Sequence, residues 1–259
     1  MLYVLDGNAS FTLAAQLARN SAARPPEMRP DAAVVVGLGY AGDAPFPAAE
    51  RRRDYTPPPH QGPAQPGTGG ADQLLDFLAR EVQPRIAQFA PVDAQRQTLW
   101  GHSLGGLLVL HALFTRPGQW SRYAATSPSV WWNQEQVLAS ARQFMHAHAD
   151  AARRTFALQL QLRAGALERP QAPPPPAPDA SAEQQAQGQR RAAGQAQRRL
   201  VERTESLAHD LAALQWPQLG VDLAIYDGLD HGQTLVRGLI DALALAQQPR
   251  KAARPHRPA

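Results

Sequence analysis

A chain of 259 residues with 44% hydrophobic content can bury one sizeable core, and a single domain is the expectation at this length. The absence of cysteine excludes disulfides, thiolate catalysis and cysteine-ligated zinc. The net charge of +4 is spread over an Ala/Arg/Gln/Pro-rich background without the aromatic-interleaved basic face of a nucleic-acid binder, and no stretch reaches the roughly 18 apolar residues of a membrane span.

The opening "MLYVLDGNASF" lacks a basic stretch and a cleavage site, so it reads as a strand in progress rather than a signal peptide. In chain order, "LYVLD" predicts a strand, with Gly7 and then Asn8 as a cap for a helix in "SFTLAAQLARN". "AAVVVGLGY", Ala32 to Tyr40, has the continuous apolar character of a parallel strand covered on both faces. A Pro/Gly-rich loop follows over 41–70, and "ADQLLDFLAREVQPRIAQF" predicts an amphipathic helix bent or broken near Pro84.

The strand ending in "QTLW" leads into the apolar helix "LGGLLVLHALF". Further on come a strand in "RYAATSPS", a helix in "VWWNQEQVLASARQFMHAHA" and a strand in "RTFALQLQL". The proline run and polar composition of about 170–198 predict a disordered or loosely helical insertion. A helix in "LVERTESLAHDLAAL", a strand in "VDLAIYDG" and a helix in "HGQTLVRGLIDALALA" close a domain over 1–248, leaving 249–259 as a basic flexible tail. Strands alternating with helices imply a mostly parallel sheet with helices on both faces.

Chemistry enters at "LWGHSLGGLLVL". Ser103 stands between Gly101 and Gly105 where strand gives way to helix, the pattern of a nucleophile elbow. The sharp turn exposes the hydroxyl, and the backbone N–H of Leu104, at the helix start, is a candidate oxyanion donor.

A serine hydroxyl needs a base, and eight histidines compete for that role. His60 and His256 lie in Pro-rich segments, and His102, His111, His146, His148 and His209 read as surface or packing residues. His231, in "GLDHGQT", directly follows the last predicted strand and is the candidate base. Glu168, in "RAGALERP", is the best-placed acid between the two, with Asp150, Asp179, Asp227, Asp230 or a Ser-His dyad as alternatives. The second oxyanion donor is assigned to the backbone N–H of Asn8, in the loop after the first strand.

These residues resemble a known family, the esterases of α/β-hydrolase fold that include ferric-enterobactin esterases, S-formylglutathione hydrolase and the antigen 85 acyltransferases. "YVLDGNASF", "RRRDYTPP", "GHSLGG", "SPSVWW" and "DHG" look most like its siderophore esterase branch. The resemblance implies hydrolysis of the ester bonds of a catecholate trilactone siderophore, ferric or apo, with Ser103 and His231 as catalytic residues. It also implies strands ahead of the one that opens this chain, so the sheet would lack its first N-terminal strands and the strand from Ala32 would become an edge open to aggregation or dimer pairing. A leader upstream could hold a periplasmic signal, which leaves cytoplasm and periplasm both open. "GALE" departs from the acidic residue that commonly follows the glycine in relatives, which bears on Glu168.

For a bulky trianionic ferric tris-catecholate, Arg51, Arg52 and Arg53 on a mobile loop would supply charge-assisted donors, and Trp131 with Trp132 flat aromatic faces. The partner is a small-molecule ester, and the chemistry needs no cofactor or metal. Competing readings are a general carboxylesterase, thioesterase or acyltransferase of the same fold, and a non-catalytic binding protein on a decayed hydrolase scaffold.

Overall fold

Apolar runs three to eight residues long assemble into one parallel sheet. In the computed structural model, which describes residues 1–93, 95–171 and 181–249, the strands are β1 (Leu2–Val4), β2 (Val35–Gly37), β3 (Thr98–His102), β4 (Arg122–Thr126), β5 (Leu158–Gly165) and β6 (Leu219–Tyr226). Their spatial order is β2-β1-β3-β4-β5-β6. The chain therefore leaves β1 toward one side and returns on the other, creating a switch point between β1 and β3 where a crevice opens at the carboxyl ends of the strands.

Both sheet faces are covered, which is why the strands read as apolar runs rather than alternating patterns. On one face Tyr3, Leu5 and Leu99 pack with Leu75, Leu107, Val137 and Leu207. These come from α3 (Ala71–Phe77), α5 (Leu104–Thr115), α6 (Trp132–Ala147) and α8 (Leu200–Ala212). On the other, Leu2, Val4 and Trp100 meet Ala14 and Leu239 from α1 (Gly7–Ala22) and α9 (Gln233–Gln247). Helix α5 is buried on every side from Gly105 to Phe114, as its all-round hydrophobicity requires.

Several expectations change in detail. The strand expected over Ala32–Tyr40 pairs only through Val35–Gly37, and β2 is the sheet edge among the described residues. The chain continues through Pro84 by way of a π-helical turn, Leu78–Val82, which leads into α4 (Gln83–Ala87) and accommodates the missing N–H of the proline.

The predicted loop over 41–70 contains a helix, α2 (Ala48–Tyr55), so Arg51–Arg53 sit on regular structure rather than on a mobile loop. The anchor is Tyr55, 1% exposed, whose phenolic oxygen accepts from the backbone N–H of Asp6.

The insertion expected to be disordered or loosely helical is helical where it is described: α7 (Ala182–Arg198) starts with a capping box between Ser181 and Gln184. Its Ala, Gln and Arg content favours helix even without an apolar stripe. The proline run at 172–180 and the tail from residue 250 lie outside the described residues.

Candidate active site

Five strand ends deliver the residues of the site. Asp6 to Asn8 follow β1, Ser103 follows β3, Ser127 follows β4, Glu168 follows β5 and His231 follows β6. The β5–β6 pairing runs in register up to Gly165 opposite Tyr226, so the loops carrying Glu168 and His231 leave the sheet side by side. Those loops are then joined by Leu167 N–H donating to Leu229 O at 3.1 Å. A Cβ on Gly165 would stand 2.2 Å from Leu229 O, so only glycine permits this approach.

Ser103 adopts φ 60°, ψ −116°, a strained conformation for a residue with a side chain. Its N–H donates to Thr126 O at 3.0 Å, while its carbonyl accepts from Leu107 and Ser129 at 3.0 and 3.1 Å. The turn is tight enough that a Cβ on Gly101 would lie 2.4 Å from the carbonyl of Gly105. The glycines flanking Ser103 are thus a steric condition of the bend.

His231 Nδ1–H donates to Glu168 Oε2 at 2.6 Å, which leaves Nε2 as the free nitrogen of a half-exposed ring. The ring centroid lies 4.6 Å from that of His102, the residue before Ser103. Among the described residues Ser103 Oγ makes no hydrogen bond; such contacts commonly close only in the substrate complex.

Glu168 is 6% exposed, and its Oε1 accepts from Ser127 Oγ at 2.6 Å and Gly165 N–H at 2.8 Å. Burial pushes its carboxyl up, but the hydrogen bond and charge of His231, followed by the Ser127 and Gly165 donors, outweigh burial and hold it below the ordinary value. Of the alternative acids, Asp230 Oδ1 accepts from the N–H groups of Gly232 and Gln233 and serves the entry to α9, and Asp150 accepts from Ala152 N–H. Asp179 lies outside the described residues.

The first turns of α1 and α5 face each other across the switch point: a Cβ on Gly105 would lie 3.5 Å from Leu5 Cβ and 3.6 Å from Asp6 Oδ2. Asn8 and Leu104 therefore present first-turn N–H groups, which have no intrahelical acceptor and lie at the positive ends of their helix dipoles. The Asn8 side chain does not cap α1. It clamps the loop after β2, donating to the carbonyls of Tyr40 and Gly42 and accepting from Tyr40 N–H.

The helix is entered instead through Asp6, in the left-handed region at φ 55°. Its carboxylate is gripped by Arg51 through Nε at 2.7 Å and Nη2 at 3.1 Å. Burial raises the Asp6 carboxyl, opposed by this ion pair.

Arg51 is therefore a scaffold for the turn carrying Asn8, not a free substrate donor. Arg53 is likewise engaged, bidentate on Asp54 at 2.7 and 2.8 Å, and Arg52 is exposed. Trp131, two residues after Ser129, is half-buried beneath a different arginine: the Arg198 guanidinium of α7 lies 4.8 Å from its ring centroid. The Trp132 ring is 6.0 Å away, and Asn133, Gln134 and Glu135 follow in three consecutive left-handed conformations. Gln195 of α7 donates to Leu167 O at 3.4 Å, so the end of this helix spans from the turn carrying Glu168 to the indole.

Residues 1–218 match the family model described as "Putative esterase". The chain belongs to this esterase family. Among its relatives, a siderophore triacetylfusarinine C esterase of Aspergillus fumigatus is 42% identical over 147 residues, covering 56% of this chain and 49% of that protein. The ferri-bacillibactin esterase BesA of Bacillus subtilis is 34% identical over 177 residues, 65% of this chain and 60% of the relative. The chain thus spans about half the length of the first curated relatives it matches. The siderophore hydrolase EstA of Aspergillus nidulans superposes with TM-score 0.79 at 31% identity, over 95% of this chain and 81% of that one. The sheet and its flanking helices are accordingly those of an α/β-hydrolase-type esterase.

Sequence reasoning missed Ser127 and Asp6, and it set His102 aside as a surface or packing residue. Positions after strand ends were the available signal: Ser127 follows β4 as Ser103 follows β3.

Two predictions follow from this geometry. Replacing Arg51 by Ala strands a buried carboxylate and should cost about 3–5 kcal/mol, read as a large fall in Tm, while Arg52→Ala leaves Tm unchanged. An unaltered Tm with a raised KM would return Arg51 to substrate contact. Because the Glu168 carboxyl is depressed, its contribution to stability is present above the ordinary glutamate value and is lost as pH falls through the folded-state value. The Tm gap between wild type and Glu168→Gln should therefore be widest near neutrality and close in acid; a gap independent of pH would contradict the charged assignment.

Proposed function

We propose that this esterase-family chain is a serine carboxylic ester hydrolase that opens the lactone bonds of catecholate trilactone siderophores, ferric or apo. The observation that carries the reading is the Glu168–His231 hydrogen bond held beside the Ser103 elbow at the switch point of the sheet. The names of the relatives, esterases for triacetylfusarinine C, enterobactin and ferri-bacillibactin, support a siderophore ester as substrate.

In this reading Ser103 Oγ attacks the lactone carbonyl carbon as its proton passes to His231 Nε2. The carbonyl oxygen becomes an oxyanion that accepts from the N–H groups of Asn8 and Leu104. Collapse breaks the bond to the ring oxygen, which takes the proton from His231, leaving an acyl-serine. Water, deprotonated by His231, releases the acid and regenerates the serine. Glu168 holds Nδ1–H throughout and stabilises the imidazolium that forms twice per turnover.

With Arg51 and Arg53 engaged by carboxylates, recognition of an anionic aromatic acyl group falls to Arg52, Arg198 and the Trp131 face. The test compares a catecholate trilactone with a simple nitrophenyl ester. Wild type should turn over the trilactone preferentially and Ser103→Ala should turn over neither, while Arg198→Ala should raise KM severalfold for the trilactone alone. Turnover of the simple ester only would favour a general carboxylesterase, and tight binding without turnover would favour a binding protein.

A further inference from the structure

The histidine beside the nucleophile is buried and hydrogen-bonded, yet catalysis as described leaves it idle. His102 is 6% exposed, and its Nε2 lies 2.8 Å from the carbonyl oxygen of His231. A carbonyl only accepts, so Nε2 carries the proton. The same carbonyl is 2.8 Å from Thr234 Oγ1, which is 2.7 Å from Ser127 Oγ, which in turn is 2.6 Å from Glu168 Oε1. Thr234 and Ser127 are both fully buried. Ser127 is held at φ 43°, left-handed backbone that a serine rarely occupies, with its N–H on Arg163 O.

The links form a closed circuit: His231 Nδ1 to Glu168, Glu168 to Ser127, Ser127 to Thr234, and Thr234 back to the His231 carbonyl. Ser127 gives its proton to the carboxylate and Thr234 gives its own to the His231 carbonyl, which His102 Nε2–H meets as a second donor. The same Nε2 lies 3.3 Å from Thr234 Oγ1, so His102 touches the circuit at two points.

We propose that His102, in its neutral Nε2–H form, together with Thr234 and Ser127, is a set of positioning residues that fixes His231 from two ends, by its own carbonyl and through Glu168. Burial first, and the neighbouring charge of His231 second, push the His102 imidazole down to about 3, consistent with a ring that stays a neutral donor. The charged groups bearing on it are His231, Glu168 and Arg51. A neutral ring 4.6 Å from His231 also avoids placing a second positive charge against the imidazolium formed during turnover. The proposal rests on His231 being the base.

The test needs one readout that does not depend on activity. In full-length protein carrying ¹⁵N-labelled histidine, NMR should find His102 as the Nε2–H tautomer and non-titrating between about pH 5 and 8, with a downfield His231 Nδ1 proton that shifts in Ser127→Ala. A His102 that is Nδ1–H or titrates in that range overturns the proposal whatever the enzyme hydrolyses.

With a nitrophenyl ester, His102→Leu, Thr234→Val and Ser127→Ala should each lower kcat by about 10- to 100-fold with KM within about twofold. His102→Gln, which restores an N–H donor, and Thr234→Ser should recover most of the loss. Equal losses in the conservative and disruptive variants, at matched Tm, would mark the residues as packing only. No ester turnover by wild type would fail the hydrolase reading and not the tautomer assignment.

Discussion

A buried carboxylate kept charged by the imidazole it orients is the constraint around which this molecule is built. Glu168 has three donors, and each comes from a different strand end: His231 after β6, Ser127 after β4 and the Gly165 amide at the end of β5. Removing water from a carboxylate is costly unless its lone pairs are met, so the charge can persist only where these three segments are held together. Glu168 therefore imposes an order on the loops, and the loops in turn position His231.

The sheet supplies that order unevenly. The pairing of β5 with β6 extends over eight residues, whereas β1 pairs with each of its neighbours over three. Glu168 and His231 thus hang from the best-secured part of the sheet. The opposite wall, carrying the turn of Asp6 to Asn8, is secured by the Arg51 ion pair and by Tyr55 instead of by long strands. Between them the elbow rests on α5, which is buried all round and cannot shift without disturbing the core on one side of the sheet.

Much of this was legible in the residues. Ser103 and His231 stand out because glycine spacing and the position after a strand are local signals, and the parallel sheet follows from apolar runs separated by amphipathic segments. Glu168 was one carboxylate among several, since what singles it out is the approach of Leu229 and the hydroxyl of Ser127, 61 and 41 positions away in the chain.

The arginine run misled for the same reason: sequence displays charge but not the partner that consumes it, and Asp6 lies 45 residues from Arg51. For helix α7 the sequence left disorder and loose helix both open, because low apolar content hides a capping box and good helix formers. The role of His102 could not be seen without its hydrogen bond to a carbonyl 129 residues away.

The central claim, that His231 serves Ser103, is tested most directly by a crystal structure of the protein inactivated with an organophosphonate ester. The account predicts a covalent bond to Ser103 Oγ, the phosphoryl oxygen accepting from Asn8 and Leu104 N–H, and His231 Nε2 within hydrogen-bond distance of a phosphonate oxygen with Nδ1 still on Glu168. An unmodified Ser103, or an adduct whose nearest base is any group other than His231, would contradict it.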